Sequence, residues 1–379
     1  WQPVRPSALP EADAVEIIRA LEGARRPLLV TTFVGRDPAA VPELVKLCER
    51  LGIAVLESVP SAMNFPHDHP LYQGSHWNNP CQNPTLAEAD VVLVIDSDVP
   101  WIPSVSRPRP DATVLHIDID PLKASMPLWY IGAERSYRAN GVIALRQLNA
   151  AAQVLAVDER RRAERQEHYA QAHARRAAQL RNAEAPGEHI STQYLVAMLR
   201  KLAGEDAILL SEGITNYPQI ADHWAPTRPG SYFASGGGSL GWNSGAAIGA
   251  KLAAPDSTVI AIGGDGCFLF SAPSSVYWMA RRYDTPFLQI VLNNGGWCAP
   301  RFSTLAVHPD GVAARTQDLD LSFEPAPDYG GIAEAAGGAK AIAVRSPAQV
   351  EPAIREGLRI VREQRRCVVL DVAIPAPKD

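Results

Sequence analysis

Cysteine is scarce, and its spacing shows no pairing. The five residues Cys48, Cys81, Cys267, Cys298 and Cys367 are scattered over 379 positions, and no two stand in C-x-x-C spacing. That excludes a disulfide framework and a zinc knuckle, and it reads as reduced thiols in a cytoplasmic protein. Long hydrophobic runs are missing too. None reaches the roughly 18 residues a membrane span needs. There is no excess of basic residues, and the net charge of -5 argues against a nucleic-acid-binding surface. No basic-then-apolar leader is visible, because Trp1 opens a polar, Pro-containing segment. The first residue is not methionine, which fits a fragment or a processed product. What is abundant is apolar residue, 46% against 20% charged, enough for a large core and too much for disorder. At roughly 100–200 residues per domain, the length predicts two domains or three.

Short apolar runs alternate with helical patterns in both halves. In the first half the runs are Leu28–Phe33, Ile53–Leu56, Val91–Ile95 and Val114–Asp118, and Val41, Leu44, Val45, Leu47 and Leu51 fall at helical spacing between the first two. Near-continuous apolar strands of this kind are buried on both faces of a parallel sheet. The segment from Val59 to Pro84, rich in Pro, His, Asn and aromatics, reads as a long loop that lines a surface of use. Asp158 to Arg181 reads as a highly charged helix. A DNA-binding helix is the sharper interpretation, but the overall acidity favours a solvated connector between two domains.

The second half begins after Ala185–His189. Its predicted strands are Ala207–Leu210, Thr258–Ile262, Phe287–Leu292, Ala341–Val344 and Val368–Val372, and a long loop is expected from about Arg301 to Gly330. Both halves are therefore α/β, each a mainly parallel sheet flanked by helices, with domains at 1–180 and 186–379.

Two turns carry the chemistry. Gly264-Asp265-Gly266 follows one strand, and Asn293-Asn294 follows another. The interval 267–292 is 26 residues, room for one helix and one strand, so both turns fall at the carboxyl edge of one parallel sheet, where ligands bind in open α/β folds. A carboxylate and an amide oxygen suit a hard divalent ion such as Mg2+. The glycines let backbone N–H groups approach a diphosphate. A competing reading is Gly236–Gly241, which satisfies G-x-G-x-x-G and points to an NAD(P)-binding oxidoreductase. The residues before it, Pro229–Phe233, make a poor first strand for that fingerprint.

GDG, about 26 residues and then NN resembles the thiamine diphosphate (ThDP) motif. Ser235–Trp242 and Ala246–Ala253 look like the segment that props this cofactor in the acetolactate synthase, benzaldehyde lyase and pyruvate decarboxylase superfamily. Val34–Pro38 and Asp68–Gly74 look like its middle domain. The resemblance implies metal ligands at Asp265, Asn294 and the Gly296 carbonyl. It places Gly266, Cys267 and Thr215 at the diphosphate, Leu240 beneath the bent cofactor, and the Gly238 carbonyl at the pyrimidine amino group. Ala299 replaces a bulky residue and Pro300 a glutamate of the decarboxylase pattern, which leaves room for a larger substrate and resembles carboligases and lyases. Arg301 is an anchor for a substrate carboxylate or a plain surface arginine.

In this superfamily a glutamate on an amino-terminal pyrimidine-binding domain activates the cofactor. Nothing here matches that domain. Glu212 is the one other carboxylate near a cofactor strand end, and it sits on the diphosphate side. The implied protein is a Mg2+–ThDP carboligase, lyase or decarboxylase acting on a 2-oxo acid or acyloin. Its site would be completed by a pyrimidine-binding domain or subunit in trans, around a homodimeric or tetrameric core, and the isolated chain would be catalytically silent. The alternative is a non-catalytic ThDP-binding partner subunit. FAD in the middle domain is open but not favoured. His67, His69, His76 and Asp68 resemble a zinc cluster only on paper, and His76 with Trp77 is a candidate approach to the site.

Overall fold

The computed structural model describes residues 1–76, 81–126, 132–235, 239–316 and 319–376. The chain forms two units. The first is Trp1–Leu180 with Ala225–Gly230, and the second is Arg181–Trp224 with Ser231–Asp379.

The first unit holds a sheet of β1 (Pro27–Thr31), β2 (Ala54–Ser58), β3 (Tyr72–His76), β4 (Val91–Ile95), β5 (Thr113–Asp118) and β6 (Arg135–Arg138). Every pairing is parallel, in the order β3-β2-β1-β4-β5-β6. β1, β2 and β4 are buried at all five positions, as strands covered by helices on both faces are, and in β2 this includes Glu57 and Ser58. The Ala40–Leu51 helix turns Ala40, Leu44, Leu47, Cys48 and Leu51 into this core. It stops at Gly52, whose left-handed backbone (φ 66°) suits glycine.

The second unit repeats the plan with β7 (Ile208–Glu212), β8 (Tyr232–Ala234), β9 (Val259–Gly264), β10 (Leu288–Asn293), β11 (Lys340–Val344) and β12 (Val368–Ala373). All are parallel, in the order β11-β12-β10-β9-β7-β8. The fold is thus the expected one: two parallel six-stranded sheets flanked by helices. No helix among the described residues is long and apolar enough to cross a membrane.

Four expectations change. The Val59–Pro84 segment is not a free loop. It contains β3, and Met63, Phe65, Leu71 and Tyr72 are buried. Its order comes from Glu57, a fully buried carboxylate that accepts from the Asn64 backbone (3.0 Å) and amide (2.9 Å), His67 Nε2 (3.0 Å) and the Tyr72 hydroxyl (2.9 Å). The charged helix, Glu159–Ala183, is not merely solvated. Arg165 and Tyr169 are buried, and their donors reach the carbonyls of Leu51 (2.8 Å) and Pro27 (3.0 Å) in the first unit. Its buried residues are polar, so hydropathy conceals the contact. The Arg301–Gly330 stretch includes most of a helix, Cys298–Val307, and a shorter one, Val312–Thr316. Finally, a strand does precede Gly236, but β8 is a three-residue edge strand.

The histidines do not converge. His67 meets Glu57, His69 meets Glu49 (3.3 Å) and His76 meets the Pro100 carbonyl (2.6 Å). No group of three His, Cys, Asp or Glu side chains among the described residues is placed to hold a metal. Burial lowers the His76 pKa, so it packs as a neutral ring. Trp77 lies outside the described residues.

Candidate active site

Three neighbouring strands of the second sheet end together. Parallel register aligns Glu212 with Gly263 and Gly264 with Leu292, so Glu212, Asp265 and Asn293-Asn294 share one carboxyl edge.

Asp265 organises this edge. It is 2% exposed. One carboxylate oxygen accepts from the Gly266 N–H (2.8 Å). The other accepts from Asn294 (3.2 Å), Gly295 (2.9 Å) and Gly296 (3.2 Å). The 294–296 turn thus wraps its amides around a single oxygen. Gly295 has φ 77°, and a Cβ at Gly296 would overlap the Leu321 carbonyl. The Asn294 side-chain oxygen accepts from the Gly296 N–H at 3.3 Å. Residues 321–323 close the turn from outside: Trp297 N donates to Leu321 O, and Phe323 N to Gly295 O, both at 2.9 Å.

Burial raises the Asp265 pKa, against the opposing pull of its four N–H donors. No cationic side chain pairs with it among the described residues. A buried carboxylate without a counter-cation, beside an amide oxygen and backbone carbonyls, is a donor set that fits a hard divalent cation.

Glu212, fully buried, has a different task. Its two oxygens accept from the N–H groups of Gly241 (2.6 Å) and Asn243 (2.8 Å) and so cap the Trp242–Ala253 helix. Gly241 is held at φ 92°, and a Cβ there would overlap the Phe270 carbonyl. Leu240 stands half-buried immediately before this capped start. Burial raises the Glu212 pKa as well.

Cys267 donates its thiol to the Glu212 carbonyl at 3.2 Å. Burial, with Glu212 nearby, pushes its pKa up to about 12, so it stays a neutral thiol. Thr215 lies on the single turn after β7 and accepts from the Asn216 amide (3.3 Å). Against that turn packs the Cys298–Val307 helix, which carries Ala299 in its first turn. The structure therefore gathers Asp265, Gly266, Cys267, Asn294 and Gly296 directly, and Thr215 with Ala299 beside them. Gly238 lies outside the described residues.

Besides the Glu212 cap, sequence reading missed two features. One is the 321–323 clamp, a long-range pairing with no local pattern. The other is Trp297, whose ring lies so close over Gly266 that a Cβ there would overlap it. Phe270 and Phe323 flank this indole edge-on, at 5.5 and 4.9 Å between centroids.

Comparison with known families decides what such an edge belongs to. Residues 213–372 match the thiamine pyrophosphate enzyme C-terminal TPP binding domain, and residues 14–127 match the thiamine pyrophosphate enzyme central domain. The chain belongs to the thiamine pyrophosphate enzyme family.

Among its relatives in that family is the acetolactate synthase large subunit of Corynebacterium glutamicum. It is 27% identical, over 98% of this chain and 58% of the relative. The acetolactate synthase isozyme 3 large subunit of Escherichia coli is also 27% identical, over 94% and 61%. A sulfoacetaldehyde acetyltransferase of Castellaniella defragrans is 26% identical, over 93% and 61%. The thiamine diphosphate-dependent 4-hydroxybenzoylformate decarboxylase of Rhodococcus jostii RHA1 shares the fold, with TM-score 0.76 and 23% identity over 100% of this chain and 67% of that one. This thiamine pyrophosphate enzyme chain spans about three-fifths of the length of those curated relatives.

Proposed function

We propose that this chain binds Mg2+ and thiamine diphosphate and takes part in making or breaking a carbon–carbon bond beside a carbonyl, on a 2-oxo acid or acyloin. The observation that carries the reading is the buried, cation-free Asp265 carboxylate encircled by the 294–296 turn. When bound, the cofactor supplies a carbon nucleophile and an electron sink.

In this reading Asp265, the Asn294 side chain and the Gly296 carbonyl hold the metal. The Gly266–Cys267 backbone and Thr215 take the diphosphate. Gly238 and Leu240 set the pyrimidine, and Ala299 leaves space beside the reacting carbon. Residues 1–180 form the middle domain and 186–379 the diphosphate-binding domain.

Glu212 is occupied with helix capping, which leaves no carboxylate in the described edge free to act on the cofactor's far ring. A pyrimidine-binding domain supplied in trans to a homodimeric or tetrameric core completes the site. The acetolactate synthase, acetyltransferase and decarboxylase names of the relatives support the reaction class.

Equilibrium dialysis of ThDP with and without Mg2+ tests the cofactor assignment. Asp265→Ala is expected to abolish metal-dependent binding, and unchanged affinity would refute it. A panel of 2-oxo acids and aldehydes, run with and without a supplied pyrimidine-binding domain, separates an enzyme from a non-catalytic partner subunit.

A further inference from the structure

At the opposite edge of the second sheet, a cavity of about 340 Å³ opens beside the residues that lead into β10 and β12. Its wall includes Arg281, Asp284, Gly338, Arg365, Arg366 and Cys367. Three arginines and one aspartate thus contribute to its lining.

The partners of these groups can be traced one at a time. Asp284 pairs with Arg365, at 2.7 Å from Nη2 and 2.9 Å from Nε. Arg366 donates to the carbonyls of Gly338 and Ala339, the latter at 2.7 Å, and so satisfies the end of the Tyr329–Gly337 helix. The Arg281 guanidinium makes no hydrogen bond or ion pair to a described residue. Its Nη1 lies 3.9 Å from where a Cβ on Gly338 would stand.

Lys251 has its pKa lowered, by burial first and then by Arg365, with Asp256 and Asp284 opposing the shift. The Cys367 thiol, pushed up to about 12 by burial, adds no negative charge.

We propose that this cavity is a second small-molecule site, for a phosphate-bearing anion of two or more charges. A guanidinium stays protonated, and its planar fork matches two phosphate oxygens at once. An unpartnered Arg281 beside a second, partly engaged pair of arginines offers that geometry. The volume is at the small end of ligand pockets, which selects a pyrophosphate-sized group.

The site is separate from the Asp265 edge. Pro286 and Cys367 precede β10 and β12, whereas Asn294 follows β10. Six residues of strand put about 20 Å between the two edges, so both can be filled at once.

The test is equilibrium dialysis of the chain against inorganic pyrophosphate in chelator-treated, Mg2+-free buffer. The expected result is saturable binding at one site per chain. Arg281→Glu and the milder Arg281→Gln should weaken it roughly 10- to 100-fold with unchanged thermal melts, since Arg281 holds no structural contact. Binding should survive Asp265→Asn. No saturable binding, affinity in both Arg281 variants equal to that of the parent chain, or loss of binding in Asp265→Asn would each overturn the proposal.

Discussion

The two sheets share one architecture and treat buried charge in opposite ways. At the carboxyl edge of the first sheet, Lys123 bridges Asp118 and Asp98, both at 2.8 Å, and Thr32 links to Ser58 and Ser97 at 2.7 Å. That edge closes on its own side chains. At the carboxyl edge of the second, Asp265 and Glu212 are buried with backbone N–H groups alone. Burying a carboxylate without a cation is costly. That a chain does so twice on one edge, while on the other its buried carboxylates have side-chain partners (Lys123 for Asp118, His67 and Tyr72 for Glu57), supports the cation site proposed at the second edge.

The first way to break this comparison is to unpair the paired edge. Lys123→Met leaves Asp118, only 4% exposed, beside Asp98 without its ammonium. Removing one partner of a buried pair costs about 3–5 kcal/mol; the half-exposed Asp98 places this case at the lower end. Urea denaturation should show the loss with no change in ThDP binding. The mirror experiment is Asp265→Asn. It keeps an oxygen acceptor for the turn and removes the charge, so Mg2+-dependent ThDP affinity should fall by more than the roughly 10–100-fold typical of groups that only support a ligand. Stability should change less than in Lys123→Met.

Glu212 sharpens the contrast between the two lone carboxylates. Glu212→Ala strands the Gly241 and Asn243 amides in a buried place, with an expected cost of about 3 kcal/mol. Glu212→Gln, which can still accept, should recover much of it. If Glu212 acts only as a cap, the glutamine variant keeps its cofactor affinity, measured by the same dialysis.

These tests rest on parts of the molecule that differ in how legible they were. β1, β4, β9, β10 and β12 are unbroken apolar runs because the sheet interior buries both faces, and their positions can be read within a residue or two. β3, β6 and β8 escaped because they are sheet edges with polar or very short sequences: Tyr72–His76, Arg135–Arg138 and Tyr232–Ala234. The Asp265 to Asn294 pairing was visible because a strand, a helix and a strand have a nearly fixed length. The cap by Glu212 and the Trp297 contact were not. Both depend on where a distant loop returns, and no spacing rule encodes that.

Gly266 offers a smaller perturbation in the same edge. Gly266→Ala drives a methyl into the Trp297 ring, an overpacking cost of about 1–3 kcal/mol. The double variant with Trp297→Ala should be less destabilised than the sum of the two singles, because the clash disappears with the ring. Additive melting shifts would show that the indole does not rest on Gly266.

The smallest effect comes from the group in the first edge that most nearly breaks the rule. Asp96 follows β4 at φ 48°, and a Cβ on Gly141 would overlap its carboxylate. Burial and then Asp118 raise its pKa to about 6, while Arg36 and Lys123 offset only part of that. A raised carboxyl makes the folded state hold a proton that the unfolded chain has released. The favourable contribution is therefore complete below about pH 4 and is lost as pH rises through 6. Asp96→Asn removes the titration. Its advantage over the parent should be near zero at pH 4 and grow to about 1–2 kcal/mol at pH 7, less than the full shift implies because Asp96 is partly exposed. Melting curves of both proteins from pH 4 to 7 check the sign. A constant difference across that range would show that Asp96 is already ionised throughout. The first edge would then tolerate a lone carboxylate as well as the second does, and the contrast between the two sheets would rest on Asp265 and Glu212 alone.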